Sequence, residues 1–151
     1  TPMNGLFEVL HELWEKDDSV KTKKGNITLC DLGSGDGRVV LLASLFEIKK
    51  TVGIESDEWL HNVSLHMKKH LNLETQSNIE FLRNDFNAHS IKDYDYVFIA
   101  PDRPFHRGLE DKFLEELEGK LIVHSNIFFP KKLNKIKEFD FDGAKFSVYE
   151  K

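Results

Sequence analysis

A short run near the amino terminus, LCDLGSGDGR at residues 29–38, constrains the fold of this chain more than any other segment. An apolar strand is predicted over 27–32, a glycine-rich turn follows it, and an apolar helix is predicted over 38–46. Such a strand–loop–helix unit brings backbone N–H groups close to a ligand at the amino terminus of the helix. The spacing is Gly-x-Gly-x-Gly, and the turn carries two carboxylates, Asp31 and Asp36. These carboxylates would repel a pyrophosphate, whereas a ligand with a cationic centre and an ammonium group would tolerate them.

Length and composition limit the class of protein. The 151 residues suffice for one domain with a hydrophobic core. We therefore expect one domain over 1–151, with an N-terminal helix and loop over 1–26 and a hairpin over 134–151. The net charge of −5 argues against a basic face for duplex nucleic acid, so nucleic acid is not an expected partner. The single cysteine, Cys30, excludes an intramolecular disulfide and fits a reducing compartment, so a cytoplasmic location is expected. No apolar run approaches the roughly 18 residues of a membrane span, so none is expected.

The rest of the chain alternates between strands and helices. Hydrophobic periodicity predicts helices over 4–16, 57–71 and 107–117, and strands over 51–55, 79–83, 94–100 and 120–125. Two alternating stretches, 136–141 and 144–149, flank Asp142-Gly143, which is a strong hairpin signal. The segment 126–133 is too short for a full helix, so a turn or one helical turn is expected there. This order predicts an α/β fold with a single Rossmann-like, seven-stranded, mostly parallel sheet, helices on both faces and a C-terminal antiparallel β-hairpin.

Ligands of open α/β sheets bind beyond the carboxyl ends of the strands, so the residues that follow each strand are candidates for a site. Glu55 ends the second strand and lies 18 residues after Gly37, close to the spacing of ribose-binding acids. A carboxylate at this point can accept hydrogen bonds from both ribose hydroxyls. In the other interpretation Glu55 caps the next helix, but Ser56 or Asp57 can serve as that cap and leave Glu55 free.

Three acidic residues lie at three successive strand ends, namely Asp31, Glu55 and Asp85. Together with the glycine turn they resemble the cofactor site of the class I S-adenosylmethionine (SAM)-dependent methyltransferases. The resemblance implies that Asp31 and the loop backbone contact the amino and carboxylate groups of SAM and that Glu55 binds its ribose. It also implies that Asp85 accepts a hydrogen bond from the adenine amine and that Phe86 packs on the ring. The implied cofactor-binding residues are Asp31, Gly33, Ser34, Gly35, Gly37, Glu55, Asp85, Phe86 and Ala100.

The chain resembles one small family of protein-lysine methyltransferases more closely. This family includes the enzymes that act on the ATP-synthase c subunit and on the adenine nucleotide translocase. The shared segments are TPM at 1–3, DLGSGDGRV at 31–39, LIVHSNIF at 121–128 and SVY at 147–149. The resemblance implies methylation of a protein lysine or another amine, with a protein or a small-molecule amine as the partner. After strand four the relatives have a Leu-Pro-like segment, whereas this chain has Ala-Pro-Asp-Arg at 100–103.

The segment after strand four faces the acceptor in this family. Enzymes that methylate the amino group of adenine or glutamine carry Asn/Asp-Pro-Pro-Tyr/Phe there, and Ala100 does not match the first residue of that motif. Asp102 is the expected catalytic residue, which would orient or deprotonate the acceptor. In the other interpretation Asp102 forms a surface ion pair with Arg103 or Arg107.

Some further groups and alternatives remain open. His106 and His124 lie near the ends of strands four and five, and the aromatic residues that could line an acceptor slot are Phe105, Phe128 and Phe129. The histidines show no metal-ligand spacing, so no metal is expected. One alternative is a degenerate SAM-binding protein without turnover, and another is a methyltransferase for nucleic acid or small molecules. A nucleotide-binding dehydrogenase is a third, weakened by the glycine spacing, the acidic loop and the hairpin.

Overall fold

The computed structural model describes residues 1–105 and 107–151, which form one seven-stranded sheet. The strands are β1 (Thr28–Leu32), β2 (Lys50–Glu55), β3 (Ile79–Arg83), β4 (Tyr96–Ile99), β5 (Lys120–His124), β6 (Asn134–Phe141) and β7 (Ala144–Glu150). Their order across the sheet is β3-β2-β1-β4-β5-β7-β6. The first five strands are parallel, and β7 runs antiparallel to both β5 and β6. The predicted α/β class, the mostly parallel sheet and the terminal hairpin are confirmed.

Helices cover the two faces of the sheet unequally. The α-helices are α1 (Met3–Trp14), α2 (Asp18–Lys21), α3 (Arg38–Ser44), α4 (Glu58–His70) and α5 (Arg107–Glu116). On β1, Leu29 packs with α1 and α3, whereas Cys30 and Leu32 pack on the opposite side with Phe113 and Leu117 from the region of α5. The residues of α3 and α4 share a further cluster with β3, which places α4 on the side of α1 and α3. The second face is covered by α5 and by irregular segments, which contribute Phe86, Ile91, Phe105 and Leu133 to its core. None of the helices in the described ranges is long and apolar enough to span a membrane.

Several predicted element boundaries were wrong by a few residues. The predicted loop over 17–26 contains α2 and a 3-10 turn (Lys24–Asn26). The fourth strand was predicted over 94–100 but begins only at Tyr96, because the Asp95 carboxylate replaces a backbone partner and accepts a hydrogen bond from the Thr28 N–H (2.9 Å). Helix α3 ends at Ser44 rather than at residue 46, because the next two N–H groups tighten into i→i−3 bonds.

A hairpin turn, a loop and a helix start follow local sequence signals. Asp142 and Gly143 both have positive φ values, 52° and 85°, as a two-residue type I′ hairpin turn requires. The segment 125–133 contains no helix, as its length predicts. Helix α4 begins at Glu58, and the side chain of Asp57 accepts a hydrogen bond from the Leu60 N–H (2.9 Å). Asp57 is therefore the cap, which is one of the two residues that the sequence offered.

Candidate cofactor and acceptor site

Three adjoining cavities lie along the carboxyl edge of the parallel strands. The central cavity, of about 610 Å³, is bounded by the ends of β1, β2 and β4 and by parts of the segments that follow β3 and β4. The loop cavity, of about 280 Å³, lies against the glycine turn and shares Gly33, Leu60 and Ala100 with the central cavity. The hairpin cavity, of about 530 Å³, lies between the end of β5 and the β6–β7 turn and shares Ala100 and Pro101 with the central cavity. The three cavities therefore form one continuous site at the edge where ligands of α/β sheets bind.

The glycine turn is held against the end of β2 by its own backbone. The N–H groups of Gly33 and Ser34 both donate to the Ile54 carbonyl, at 2.8 and 2.9 Å. Gly35 has a φ of 55°, and a Cβ added to it would meet no atom within 4 Å. The turn thus needs glycine at this position for backbone conformation, and the position borders open space.

Gly37, which the sequence assigned to cofactor binding, lines neither the central nor the loop cavity. It forms the N-cap of α3 with a φ of 84°, and a Cβ at this position would lie 2.6 Å from the ring of Phe81 and 2.9 Å from Ser64. A packing contact therefore explains this glycine. Ser34 does line the loop cavity, and its buried hydroxyl has no hydrogen-bond partner among the described residues.

Asp31 is the most perturbed carboxyl group of the site. Its side chain is only 2 % exposed and lines the loop cavity. Burial, followed by the negative charges of Glu55 and Asp36, raises the pKa of Asp31 to about 8. A group in such surroundings favours a cationic neighbour, because the cation compensates the cost of burying the charged form.

Glu55 lines the central cavity but is not free, contrary to the expectation from the sequence. Its Oε2 accepts a hydrogen bond from the Gly35 N–H (2.8 Å), and its Oε1 accepts one from the Asp57 N–H (3.0 Å). The carboxylate therefore joins the loops that follow β1 and β2. Each oxygen retains capacity for a further donor, because a carboxylate offers about four lone-pair positions.

The residues after β3 divide between surface and cavity. Asp85 is exposed and lines none of the three cavities; its Oδ1 accepts hydrogen bonds from the backbone N–H of Asn87 (2.9 Å) and from its side-chain amide (3.1 Å). Phe86 and Asn87 line the central cavity. Asn87 is a site residue that the sequence reasoning missed, and its position two residues after Asp85 is the signal that could have indicated it.

The segment after β4 forms one wall of the central cavity. Ala100, Pro101 and Asp102 all line this cavity. The Asp102 side chain is 82 % exposed, and its Oδ1 lies 3.1 Å from Nε of Arg103. Asp102 therefore lies on the cavity wall and also forms a surface ion pair. His106 lies outside the described residues.

The hairpin cavity contains only part of the predicted acceptor slot. His124 and Phe128 line it. Phe129 instead lines a separate cavity together with Tyr149, and Phe105 packs against Phe113 with ring centroids 6.1 Å apart. The ring of His124 stacks on Phe146 at 4.5 Å, and its Nδ1 lies 3.1 Å from the Lys145 carbonyl oxygen. Burial lowers the pKa of His124, so its imidazole is neutral near pH 7.

Comparison with known proteins identifies a family for this sequence. The family model described as the ANTKMT methyltransferase domain matches residues 31–136. None of the curated proteins shows a significant match to the sequence.

Solved structures give the same fold. An RNA methyltransferase from Salinibacter ruber, in complex with S-adenosyl-L-homocysteine, is 22 % identical with a TM-score of 0.73, over 99 % of this chain and 91 % of that one. The tRNA (uracil-54, C5)-methyltransferase of Pyrococcus abyssi, also with S-adenosyl-L-homocysteine, is 18 % identical with a TM-score of 0.72, over 97 % and 37 %. The ribosomal protein L11 methylase of Lactobacillus delbrueckii subsp. bulgaricus is 12 % identical with a TM-score of 0.68, over 96 % and 76 %.

The described residues fit SAM, which supplies a methyl group already activated on a sulfonium. The buried carboxyl of Asp31 suits the cationic charge of such a ligand. The hydroxyl of Ser34 has no protein partner among the described residues, and Gly35 leaves open space beside the turn. The family match extends over 31–136 of 151 residues. The chain therefore belongs to the ANTKMT methyltransferase domain family and is a class I methyltransferase that uses S-adenosylmethionine.

Proposed function

We propose that this enzyme transfers the methyl group of SAM to an amine nitrogen, with the ε-amine of a protein lysine as the acceptor. The family match supports a protein acceptor, because the domain is described by the name of a methyltransferase of this type. The charge of the site supports an amine acceptor.

The observation that carries the proposal is the excess of acid along the three cavities. Their described lining residues include five carboxyl groups, namely Asp31, Asp36, Glu55, Asp102 and Asp142, of which the buried Asp31 keeps its proton below about pH 8. The same lining holds two guanidinium groups, and each is paired with one of those carboxylates: Arg38 with Asp36 at 2.6 Å and Arg103 with Asp102 at 3.1 Å. An acidic rim attracts an ammonium group and repels a phosphate backbone. An amine on a protein therefore suits this edge better than RNA does.

In this proposal the ends of β1, β2 and β3 hold the cofactor. Asp31 and the turn backbone at Gly33 and Gly35 bind its methionine part, because the buried carboxyl compensates the ammonium charge. Glu55 accepts hydrogen bonds from the ribose through the oxygen lone pairs that Gly35 and Asp57 leave. Phe86 packs on the adenine. The Asn87 side chain, held by Asp85, provides polar contacts at the same end.

The acceptor side is proposed to begin at the end of β4. Asp102 lies on the wall of the central cavity, where it can attract and orient an incoming ammonium group. Because its carboxylate is largely exposed and paired with Arg103, its contribution is one of orientation by charge. Methyl transfer to an amine depends mainly on alignment and exclusion of water, so a modest orienting role is sufficient.

The proposal is tested by finding which macromolecule receives the methyl group. The purified chain is incubated with SAM labelled in the methyl group and with cell extract, and protein and RNA are then separated and hydrolysed. We expect label in the protein fraction as methylated lysine, lost on protease treatment and retained on nuclease treatment. Label confined to RNA would contradict the amine proposal in favour of the acceptor class named for two of the structural relatives. The Gly35→Val variant, expected not to bind SAM, controls for methylation by enzymes of the extract.

A further inference from the structure

The hairpin cavity is a second compartment of the site, beside the cavities that are proposed to hold the cofactor. It shares only Ala100 and Pro101 with the central cavity, at the end of β4. Its volume of about 530 Å³ lies within the range of small-ligand sites and exceeds what one alkylamine chain requires. Because Ala100 and Pro101 line both cavities, a group bound in the hairpin cavity lies next to the central cavity.

The cavity is preformed, because side chains fasten the loop after β5 to the hairpin. The Asn126 side chain donates to the Gly143 carbonyl (2.6 Å) and accepts from the Lys145 N–H (3.0 Å). The hydroxyl of Ser125 accepts hydrogen bonds from the N–H groups of Ile127 (3.1 Å) and Phe128 (2.8 Å). These bonds fix both walls, so binding does not have to order them.

The tautomer of His124 follows from its partner. A carbonyl oxygen can only accept, so Nδ1 of His124 must donate its hydrogen to the Lys145 carbonyl at 3.1 Å. In the neutral ring Nε2 then carries the lone pair. Stacking on Phe146 at 4.5 Å fixes the plane of the ring. His124 therefore offers the cavity a neutral nitrogen base of fixed orientation.

Burial sets the charge state of His124, and one carboxylate lies beside it in the described lining of the cavity. Burial lowers the pKa of His124, and the hydrogen bond to the Lys145 carbonyl opposes part of that shift. The β6–β7 turn brings the exposed carboxylate of Asp142 to the same cavity. The buried ring therefore stays neutral, while Asp142 gives the cavity an acidic group for a cation.

We propose that the hairpin cavity receives the alkylammonium side chain of the acceptor and that Nε2 of His124 takes its proton. This inference rests on the proposed function, since it assumes an amine acceptor. Apolar contacts with Ile127 and Phe128 accommodate the methylene chain, and Asp142 attracts the charged end. Within the cavity, desolvation lowers the pKa of the ammonium group and eases loss of its proton.

The chemistry balances with one proton and one electron pair. The ammonium gives a proton to Nε2 of His124, which leaves a neutral amine with a free lone pair. That lone pair forms the new N–C bond to the methyl carbon, while the S–C bond breaks and its electron pair stays on sulfur. His124 then releases the proton to solvent, and the product leaves as a methylated ammonium.

A binding measurement tests the compartment without depending on turnover. The chain, labelled with 15N and 13C and saturated with S-adenosylhomocysteine, is titrated with n-butylammonium and followed by NMR. We expect shifts at the amides of Ile127, Phe128 and Ala144 and at Nε2 of His124, with Nδ1 protonated throughout. Shifts elsewhere, no shifts, or a protonated Nε2 in the free protein would overturn the proposal.

A rate measurement tests the proton transfer. Turnover on n-butylamine is followed as S-adenosylhomocysteine formed, in the natural chain, in His124→Gln and in His89→Gln. His89 is a matched control, since it is also partly buried, hydrogen-bonded at 2.9 Å to Tyr94, and has a pKa lowered by burial. We expect His124→Gln to lower kcat about 100-fold with unchanged SAM affinity and to remove an inflection from the pH–rate profile.

Equal kcat and an equal pH profile in His124→Gln would overturn the role of His124. Absence of turnover in the natural chain would instead contradict the proposed function and the base together, and the NMR shifts would then decide the binding compartment alone. The failures of the two proposals are therefore distinguishable.

Discussion

The central cavity at the carboxyl edge of the sheet and a cavity at its amino edge differ in chemistry rather than in size. The central cavity at the carboxyl edge measures about 610 Å³, and a cavity at the amino edge, beside the starts of β1, β4 and β5, measures about 620 Å³. The described lining of the amino-edge cavity has three lysines and three acidic residues. One of these, Asp95, uses its carboxylate to join β1 to β4 through Thr28. Volume alone therefore does not mark the site.

Two glycines make the difference between the edges explicit. A Cβ on Gly119, at the amino edge, would lie 2.1 Å from the backbone oxygen of Asp95. A Cβ on Gly35, at the carboxyl edge, would meet nothing within 4 Å. The first glycine is required by packing of the sheet, whereas the second borders space that a ligand can fill. Substitution should therefore damage stability at one edge and binding at the other.

The largest effect is expected for Gly35→Val. The β-branched side chain is strained at a φ of 55° and projects into the space beside the turn, so the SAM Kd should rise about 1,000-fold, or about 4 kcal/mol. Calorimetric titration with SAM measures this effect. Gly25→Val is the matched control, because Gly25 also has open space around it and no left-handed backbone. A Gly35→Val protein that is folded and binds SAM normally would contradict the assignment of the turn.

Gly119→Ala, at the amino edge, should lower stability and leave SAM binding unchanged. The added methyl group collides with backbone that cannot move cheaply, so the free energy of unfolding should fall by about 3 kcal/mol. Urea denaturation measures the loss. SAM affinity of the fraction that remains folded should be unchanged, and a selective loss of SAM binding would place the amino edge in the site.

Asp31→Asn tests whether the buried carboxyl group at the carboxyl edge lowers the stability of the fold. In the folded protein the pKa of Asp31 is raised to about 8, so between about pH 4 and pH 8 the native state holds a proton that the unfolded state releases. The natural chain should therefore lose stability as pH rises through this window, and Asp31→Asn should not. The difference in favour of the variant should grow across this window to several kcal/mol near pH 8, measured by thermal denaturation across pH.

The same substitution should weaken SAM binding. A cationic ligand favours the ionised carboxyl, so binding to the natural chain should release a proton below pH 8 and strengthen as pH rises towards 8. Titration in buffers of different ionisation enthalpy measures the proton release. A pH-independent stability difference, or binding without proton release, would contradict the assigned role of Asp31.

Glu55→Ala should weaken the binding free energy of SAM by about 1.5–3 kcal/mol, which is the usual value of a charged hydrogen bond. The SAM Kd should therefore rise roughly 10- to 150-fold. Part of the loss comes from the turn, because Gly35 also loses the hydrogen bond that it donates to Glu55. Glu150→Ala, at the amino-edge cavity, is the control and should leave Kd within a factor of two. Equal effects of the two substitutions would remove the distinction between the edges.

The smallest effect is expected for Asp102→Ala. The carboxylate is 82 % exposed and acts through charge, so turnover on an amine should fall about 10-fold, or about 1.4 kcal/mol, with no change in SAM affinity. Steady-state kinetics together with calorimetry measure the two quantities. Unchanged turnover would leave Asp102 as a surface ion-pair residue only.

The grouping of the proposed cofactor-binding acids was largely predictable from the sequence. Asp31 and Glu55 lie at the carboxyl ends of β1 and β2, and parallel strands place these ends at one edge, so the two residues could be brought together without knowledge of side-chain contacts. The details were less predictable. The cavity is lined by Asn87 rather than by Asp85, because the Asp85 side chain turns back to bond its neighbour. Gly37 follows the motif spacing but serves the packing of Phe81.

The hairpin cavity was not predictable, because it depends on contacts between residues far apart in sequence. Asn126 reaches Gly143 and Lys145, and His124 reaches the Lys145 carbonyl, and no local periodicity records these pairs. His124 was visible only as a histidine near a strand end. Its tautomer and its place in a cavity follow from where the hairpin docks on β5.

The carboxyl edge of the sheet, and not the amino edge, is proposed to bind the cofactor in this chain. Amide NMR spectra recorded during titration with S-adenosylhomocysteine distinguish the two edges. We expect large shifts at Gly33, Gly35 and Phe86 and none at Asn26, Gly119 and Lys120. Shifts concentrated at the amino-edge residues, or an unchanged spectrum at saturating ligand, would contradict binding at the carboxyl edge.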